Sequence, residues 1–223
     1  MQTTKNNYLM NYFLSIITGY LLGSIPTAYL VLKRMKGIDI TKEGSGNVGA
    51  RNSYDVTKSK LLSASVLFID MLKGFASVLI VQQLIGIEYL YSVLALIGAV
   101  FAHCYSPWLK FKGGRGLATA FGGSVLFVYS IPIIWILFWS VAYLFRKHIH
   151  FSNIAATILT GAIAISSSDI LNKYTKQSAE EDWIFGVTVA IVMVIIMSRH
   201  IEPFKEWFFS QNRKSIRDEN ETI

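Results

Sequence analysis

Three short clusters in this chain carry groups able to hold an oxyanion. "EGSGNVGARN", Glu43 to Asn52, has three glycines and an arginine; "KFKGGRG", Lys110 to Gly116, has three glycines among three cations; "RHIE", Arg199 to Glu202, joins an arginine to a histidine. Glycine lets backbone N–H groups turn into a concavity, and flanking Lys or Arg supplies charge, a combination suited to phosphate. Each glycine cluster taken alone is explained equally well as a solvated basic loop. Their placement on one face favours a shared anion site.

Other residues could move protons or pair charges. His103 and His200 each lie close to one of these clusters, and histidine is the side chain suited to give or take a proton near neutral pH. His148 and His150 fall in a basic "RKHIH" segment and read more simply as interfacial residues. Asp70 and Lys73, three residues apart in "FIDMLKG", share a helical face near the middle of an apolar run, where an isolated charge costs about 2.5–3.5 kcal/mol. They are expected to pair or to face a polar cavity, and Gly74 to admit a close helix neighbour. No HExxH or paired Cys/His spacing occurs, so no metal centre is expected. Cys104, the single cysteine, excludes an internal disulfide and a CxxC redox pair.

The elements that must position these groups belong to a membrane. The chain is 52% hydrophobic with a mean hydropathy of +0.43, and 16% of its residues are charged. Tyr8 to Leu32 contains no Asp, Glu, Lys or Arg, exceeds the roughly 20 residues of a spanning helix and reads as a retained first span. Further apolar runs cover Leu61 to Ile87, Tyr89 to Leu109, Leu117 to Phe145, Phe151 to Ser168 and Trp183 to Ser198. The 29 residues of Leu117 to Phe145 suit neither one helix nor two, and "YSIP", Tyr129 to Pro132, offers a break.

Charge parity resolves that run. If it crosses twice, segments 33–60, 110–116, 146–150 and 199–223 share one face and carry 7, 3, 2 and 5 of the chain's 21 Lys and Arg. A single crossing splits these basic segments between the faces. The positive-inside rule therefore predicts an all-α membrane protein of about seven transmembrane helices, some short, with the N-terminus out, the C-terminus in and glycine-rich cytoplasmic loops. Residues 1–210 read as one integral-membrane domain. "FKEWFF", Phe204 to Phe209, reads as an interfacial helix, and residues 211–223 as a polar, disordered cytoplasmic tail.

With these motifs in order, the chain resembles the bacterial integral-membrane acyl-phosphate:glycerol-3-phosphate acyltransferases, as a divergent member. The resemblance rests on "GSIPTAYL" at Gly23 to Leu30, "GID" at Gly37 to Asp39, "GSGNVGA" with Asn52, "DMLKG" at Asp70 to Gly74, His103 followed by "FKGGRGLAT" at Phe111 to Thr119, and "RHIE" at Arg199. It implies a seven-span enzyme of the bacterial cell (inner or plasma) membrane, its active site on the cytoplasmic side, without metal or cofactor. It implies acyl phosphate as donor, glycerol 3-phosphate as acceptor and lysophosphatidic acid as product. The expected partners are these substrates, membrane lipids and the enzyme that makes acyl phosphate, and no nucleic acid. The HxxxxD motif of other glycerol-3-phosphate acyltransferases is missing: Trp108, Asn153, Ala155 and Lys205 stand five residues after the four histidines.

Carried over by motif, Ser45, Gly46, Asn47 and Asn52 line the substrate pocket, with Lys112, Gly113, Gly114 and Arg115 as a second phosphate cradle and Arg51 and Arg199 as further cations. Asp70, Lys73 and His103 support them from behind. Ser45 and His200 are the candidate catalytic residues. The acceptor hydroxyl loses its proton to the departing phosphate or to His200, and transfer is expected to be direct, because no His or carboxylate beside Ser45 marks a triad.

The chain departs from the family pattern at several of these positions. Arg51 replaces a threonine, Asp55 an arginine and Thr41 a basic residue; Arg115 replaces a lysine, and Pro203 an asparagine in the last motif. The usual "SLxS" reads "HFSN", His150 to Asn153. Two other classes therefore stay open. One is a paralogue with an altered acceptor or lost catalysis, acting by binding or as a partner. The other is a small anion transporter, against which the halves show no internal repeat.

Overall fold

A computed structural model of the chain describes residues 2–205 and 207–209. The expected tail at 211–223 lies outside the described residues. Those described form helices and turns only: α1 (Gln2–Gly23), α2 (Thr27–Lys36), α3 (Ala50–Thr57), α4 (Lys60–Leu84), α5 (Tyr89–Cys104), α6 (Leu117–Ser124), α7 (Ser130–Arg146), α8 (Ile149–Ser166), α9 (Ser168–Lys173) and α10 (Asp182–Ser198). Four stretches among them are long and apolar enough to cross a membrane: Asn7–Lys36, Lys60–Leu84, Tyr89–Leu109 and Ile149–Ser166. A fifth appears if α10 and the segment Ile201–Phe209, bent by 56°, count as one. The all-helical membrane architecture expected from hydropathy is therefore present.

The ambiguous apolar run is divided as "YSIP" suggested, but slightly earlier. The break covers residues 125–129, and Pro132 lies in the first turn of α7, where a missing N–H costs no helical hydrogen bond. The eight residues of α6 span about 12 Å, less than half a bilayer core. The turn after them continues to one end of the bundle, where the carbonyl of Phe127 accepts from the N–H groups of Lys176 and Gln177. Gln177 Oε1 in turn accepts from Ser92 Oγ near the start of α5 at 2.7 Å. The opposite end collects the loops after α2 and α5, the α7–α8 turn and the end of α10.

Close helix contacts fix the bundle. A Cβ on Gly74 of α4 would strike the carbonyl oxygen of Thr119 in α6, so the close neighbour expected at Gly74 is present. On the same helix, Asp70 and Lys73 are buried and paired, Nζ to Oδ1 at 3.0 Å. Lys73 Nζ also donates to the carbonyl of Ile25 at 2.9 Å, where Pro26 interrupts the line between α1 and α2. His103 Nδ1 lies 3.7 Å from Asp70 Oδ1. This buried group joins α4, the α1–α2 break and the end of α5, behind the glycine-bearing loops.

Candidate functional site

The first glycine loop is organised by Asn52 on α3. Its Nδ2 donates to the carbonyls of Glu43 and Asn47, both at 3.0 Å, and more weakly to that of Ile40 at 3.4 Å. Its Oδ1 accepts the N–H of Ser45 at 3.0 Å. Positive φ at Gly44 and Gly46 lets the chain turn back around this buried amide. Asn52 is 2% exposed and spends its hydrogen-bonding capacity on the loop, whereas Ser45 and Asn47 face outward from it.

The second loop is tied to the end of α5. Gly113 N–H donates to the Cys104 carbonyl at 3.1 Å, and Gly114 N–H to the His103 carbonyl at 3.0 Å. A Cβ on Gly114 would meet the ring of His103 and, 2.9 Å away, the carbonyl of Val48 in the first loop. Only glycine allows the two loops this approach. Arg199 completes the arrangement by donating from Nε to the Gly114 carbonyl at 3.3 Å and from Nη2 to the Gly113 carbonyl at 3.2 Å, its guanidinium 5.4 Å above the Tyr105 ring. The amides of Gly113 and Gly114 are committed to α5, and Arg199 to loop carbonyls; all three shape the loop from behind. Lys112 is exposed and outside the cavity.

Between the loops and the α7–α8 turn lies a cavity of about 300 Å³, lined among others by Ser45, Asn47, Arg51, Asp55, Arg115 and Lys147. Gly46 is not among its lining residues. Arg51 Nε pairs with Asp55 Oδ2 one helical turn on, at 3.0 Å. Arg115 donates to Nδ1 of His150 at 3.3 Å. Sequence reasoning assigned neither Lys147 nor Tyr143 to the site, and gave His148 and His150 an interfacial role only. The signal available was the basic "RKHIH" segment on the same predicted face. His148 caps α8, its Nδ1 accepting the Phe151 N–H at 3.3 Å, and its ring stacks on Trp207 at 4.5 Å. Burial holds its pKa below the usual imidazole value. Near the first loop, hydrogen bonding by Thr41 lowers the pKa of Asp39.

His200 does not join this cavity. It is 1% exposed; its Nδ1 faces the Ile196 carbonyl at 2.9 Å and its Nε2 the side-chain nitrogen of Asn153 at 3.2 Å. Both ring nitrogens are engaged, and the expected proton acceptor is enclosed. Pro203, at a position where the family pattern has asparagine, follows in the segment past α10, while the amide that meets His200 comes from α8. His103 is likewise buried, behind Gly114. No group of three or more His, Cys, Asp or Glu side chains placed to hold a metal is found among the described residues.

The whole chain, and not the loops alone, has relatives. The family model described as glycerol-3-phosphate acyltransferase matches residues 13–209. A glycerol-3-phosphate acyltransferase of Ehrlichia canis is 34% identical over 195 residues, 86% of this chain and 93% of the relative. One of Wolbachia pipientis subsp. Culex pipiens is 32% identical over 93% of this chain and all of the relative. Crystal structures of PlsY (YgiH), an integral membrane glycerol 3-phosphate acyltransferase, in its glycerol 3-phosphate and lysophosphatidic acid forms, superpose with TM-scores of 0.71 and 0.70 at 28% identity, covering 89% of this chain. With its two glycine loops meeting across one basic cavity and its length matched almost end to end, the chain belongs to the glycerol-3-phosphate acyltransferase family.

Proposed function

We propose that this chain transfers an acyl group from acyl phosphate to the sn-1 hydroxyl of glycerol 3-phosphate, giving lysophosphatidic acid in phospholipid synthesis. The observation that carries the reading is the cavity in which Ser45, Asn47 and Arg51 of the first loop region face Arg115 of the second and Lys147 of the α7–α8 turn. Three cations around about 300 Å³ suit two phosphate groups that must approach each other. The reaction needs no covalent enzyme intermediate. The acceptor oxygen bonds to the acyl carbon, the bond from that carbon to the phosphate oxygen breaks, and the hydroxyl proton passes to the leaving phosphate. Arg51, Arg115 and Lys147 stabilise the charge that grows on it. Ser45 and Asn47 orient the acceptor by hydrogen bonding.

The same reading places the cavity on the cytoplasmic side of a bacterial inner membrane. Seven passes are supported by the alternation of ends along α1, α4, α5, α6 with its turn, α7, α8 and α10, and by the basic segments gathered around the cavity. Residues 1–210 act as one domain, the N-terminus outside and the C-terminus inside, and the enzyme that makes acyl phosphate supplies donor to this face.

Purified protein in lipid nanodiscs, given acyl phosphate and glycerol 3-phosphate, should form lysophosphatidate, and acyl-CoA should not replace the donor. An acceptor scan over other polyol phosphates, run alongside, tests the altered position at Asp55. Silence with every acceptor would remove the acyl-transfer reading.

A further inference from the structure

Trp139 of α7 donates its Nε1–H to Asn153 Oδ1 of α8 at 2.7 Å. An indole nitrogen can only donate, so Asn153 must present its oxygen to Trp139 and its NH₂ group to His200 Nε2, 3.2 Å away. Nε2 is therefore an acceptor, and the remaining ring proton lies on Nδ1, donated to the Ile196 carbonyl at 2.9 Å. A donor-only indole at one end and an acceptor-only carbonyl at the other thus fix a single polarity, and the Asn153 NH₂ keeps Nε2 unprotonated. A parallel rung lies four residues away on each helix, where Trp135 Nε1 donates to Thr157 Oγ1 at 3.1 Å.

The chain leads back to the cavity by two routes. Trp139 stacks on Tyr143, a cavity-lining residue, at 5.0 Å with the rings nearly parallel. His200 adjoins Arg199, which grips the carbonyls of Gly113 and Gly114 immediately before Arg115. Asn153 is 7% and His200 1% exposed, so the contact between them is buried and a lost partner there is costly.

We propose that Trp139 and Asn153 are positioning residues of this site, locking His200 as a neutral Nδ1–H imidazole that ties α7, α8 and α10 together and so sets Arg199 and the loop bearing Arg115. His200 is then a strut of fixed tautomer and exchanges no proton with substrate.

The link to Arg115 rests on the acyl-transfer reading; the tautomer does not, and the two are tested separately. In nanodisc protein carrying ¹⁵N-labelled histidine, the imidazole signal removed by His200→Gln should be that of an Nδ1–H tautomer at neutral pH. An Nε2–H or doubly protonated ring would overturn the proposal. Asn153→Asp should give a doubly protonated ring, because a carboxylate facing Nε2 favours a proton there while Nδ1–H stays on the Ile196 carbonyl; an unchanged His200 signal in that folded variant would also overturn it. Trp139→Phe should let Asn153 turn its oxygen to Nε2 and admit a doubly protonated ring, and should lower kcat/KM for glycerol 3-phosphate about three- to tenfold, through KM. Trp135→Phe, which removes the parallel rung, should leave the His200 signal unchanged and controls for loss of helix packing. If Trp139→Phe fails to fold, the Asn153→Asp spectrum decides alone. If the wild-type protein proves inactive with an Nδ1–H His200, the acyl-transfer reading fails and the lock stands.

Discussion

Asn52 Oδ1 accepts the backbone N–H of Ser45 at 3.0 Å, so a side chain on α3 holds the turn that presents the first loop to the cavity. Asn52→Ala removes four hydrogen bonds from a buried position and should cost about 2–4 kcal/mol of loop or global stability. Asn52→Asp should be no milder, because a carboxylate would face three carbonyl oxygens. Acyl transfer should fall by at least 100-fold in both, with thermal unfolding in detergent separating loop damage from collapse of the whole protein.

Arg51 and Asp55 are 60% and 43% exposed, so their pair adds little to stability. Arg51→Ala should leave the melting temperature within about 1 °C, consistent with the small energy of exposed pairs, yet raise KM for glycerol 3-phosphate roughly 10- to 100-fold through the lost charge-assisted hydrogen bonding. Asp55→Asn keeps the shape and should change KM by less than about threefold. KM should also rise with ionic strength. Equal KM values for wild type and Arg51→Ala would remove Arg51 from the phosphate site.

Buried pairing makes the opposite case at Asp70 and Lys73, whose side chains are 4% and 6% exposed. Lys73→Leu strands a carboxylate inside the bundle and should destabilise by about 3–5 kcal/mol, enough to abolish accumulation in the membrane. The double variant Asp70→Leu, Lys73→Leu should accumulate better than Lys73→Leu alone. Immunoblots of membrane fractions would show it, and equal loss in the two would mean that pairing is not what Asp70 needs.

His148, stacked on Trp207, gives a pH dependence of definite sign. Its pKa in the folded protein lies below the ordinary 6.5, so the unfolded chain binds the proton more readily. The stabilisation is present above pH 6.5 and declines as pH falls below it toward the folded value. Protease cleavage after residue 200 should therefore quicken on acidification from pH 7.5 to about 5.5, the range in which imidazole titrates. His148→Gln should flatten that dependence; a profile identical to wild type would place the sensitivity elsewhere.

Much of this molecule is legible in its composition and spacing. Hydropathy identifies membrane-capable helices, the residues before Pro132 mark an interruption, and Gly74 foretells a close helix contact, whereas the break at Pro26 falls inside a run read as one span. The basic segments place "EGSGNVGARN", "KFKGGRG" and "RHIE" together, and the loops do meet where Gly114 passes Val48. What a motif lists is donors, and it cannot list their partners. The amides of Gly113 and Gly114 look available to an anion until α5 claims them, and Arg199 looks like a phosphate ligand until its fork closes on two carbonyls.

Partner choice depends on helices far apart in sequence. Asn153 and His200 are separated by 47 residues, and only the packing of α8 against α10 brings them to 3.2 Å. Lys147 reaches the cavity because the α7–α8 turn and α3 line it together, a proximity that no spacing within the loop encodes. The sequence by itself determined the solvent, the helices and the face on which the chemistry gathers, since these follow from local hydrophobicity and charge. Tertiary structure alone decided which polar groups face the cavity and which hold its walls, because a group's hydrogen-bonding capacity is finite and long-range packing determines where it is used.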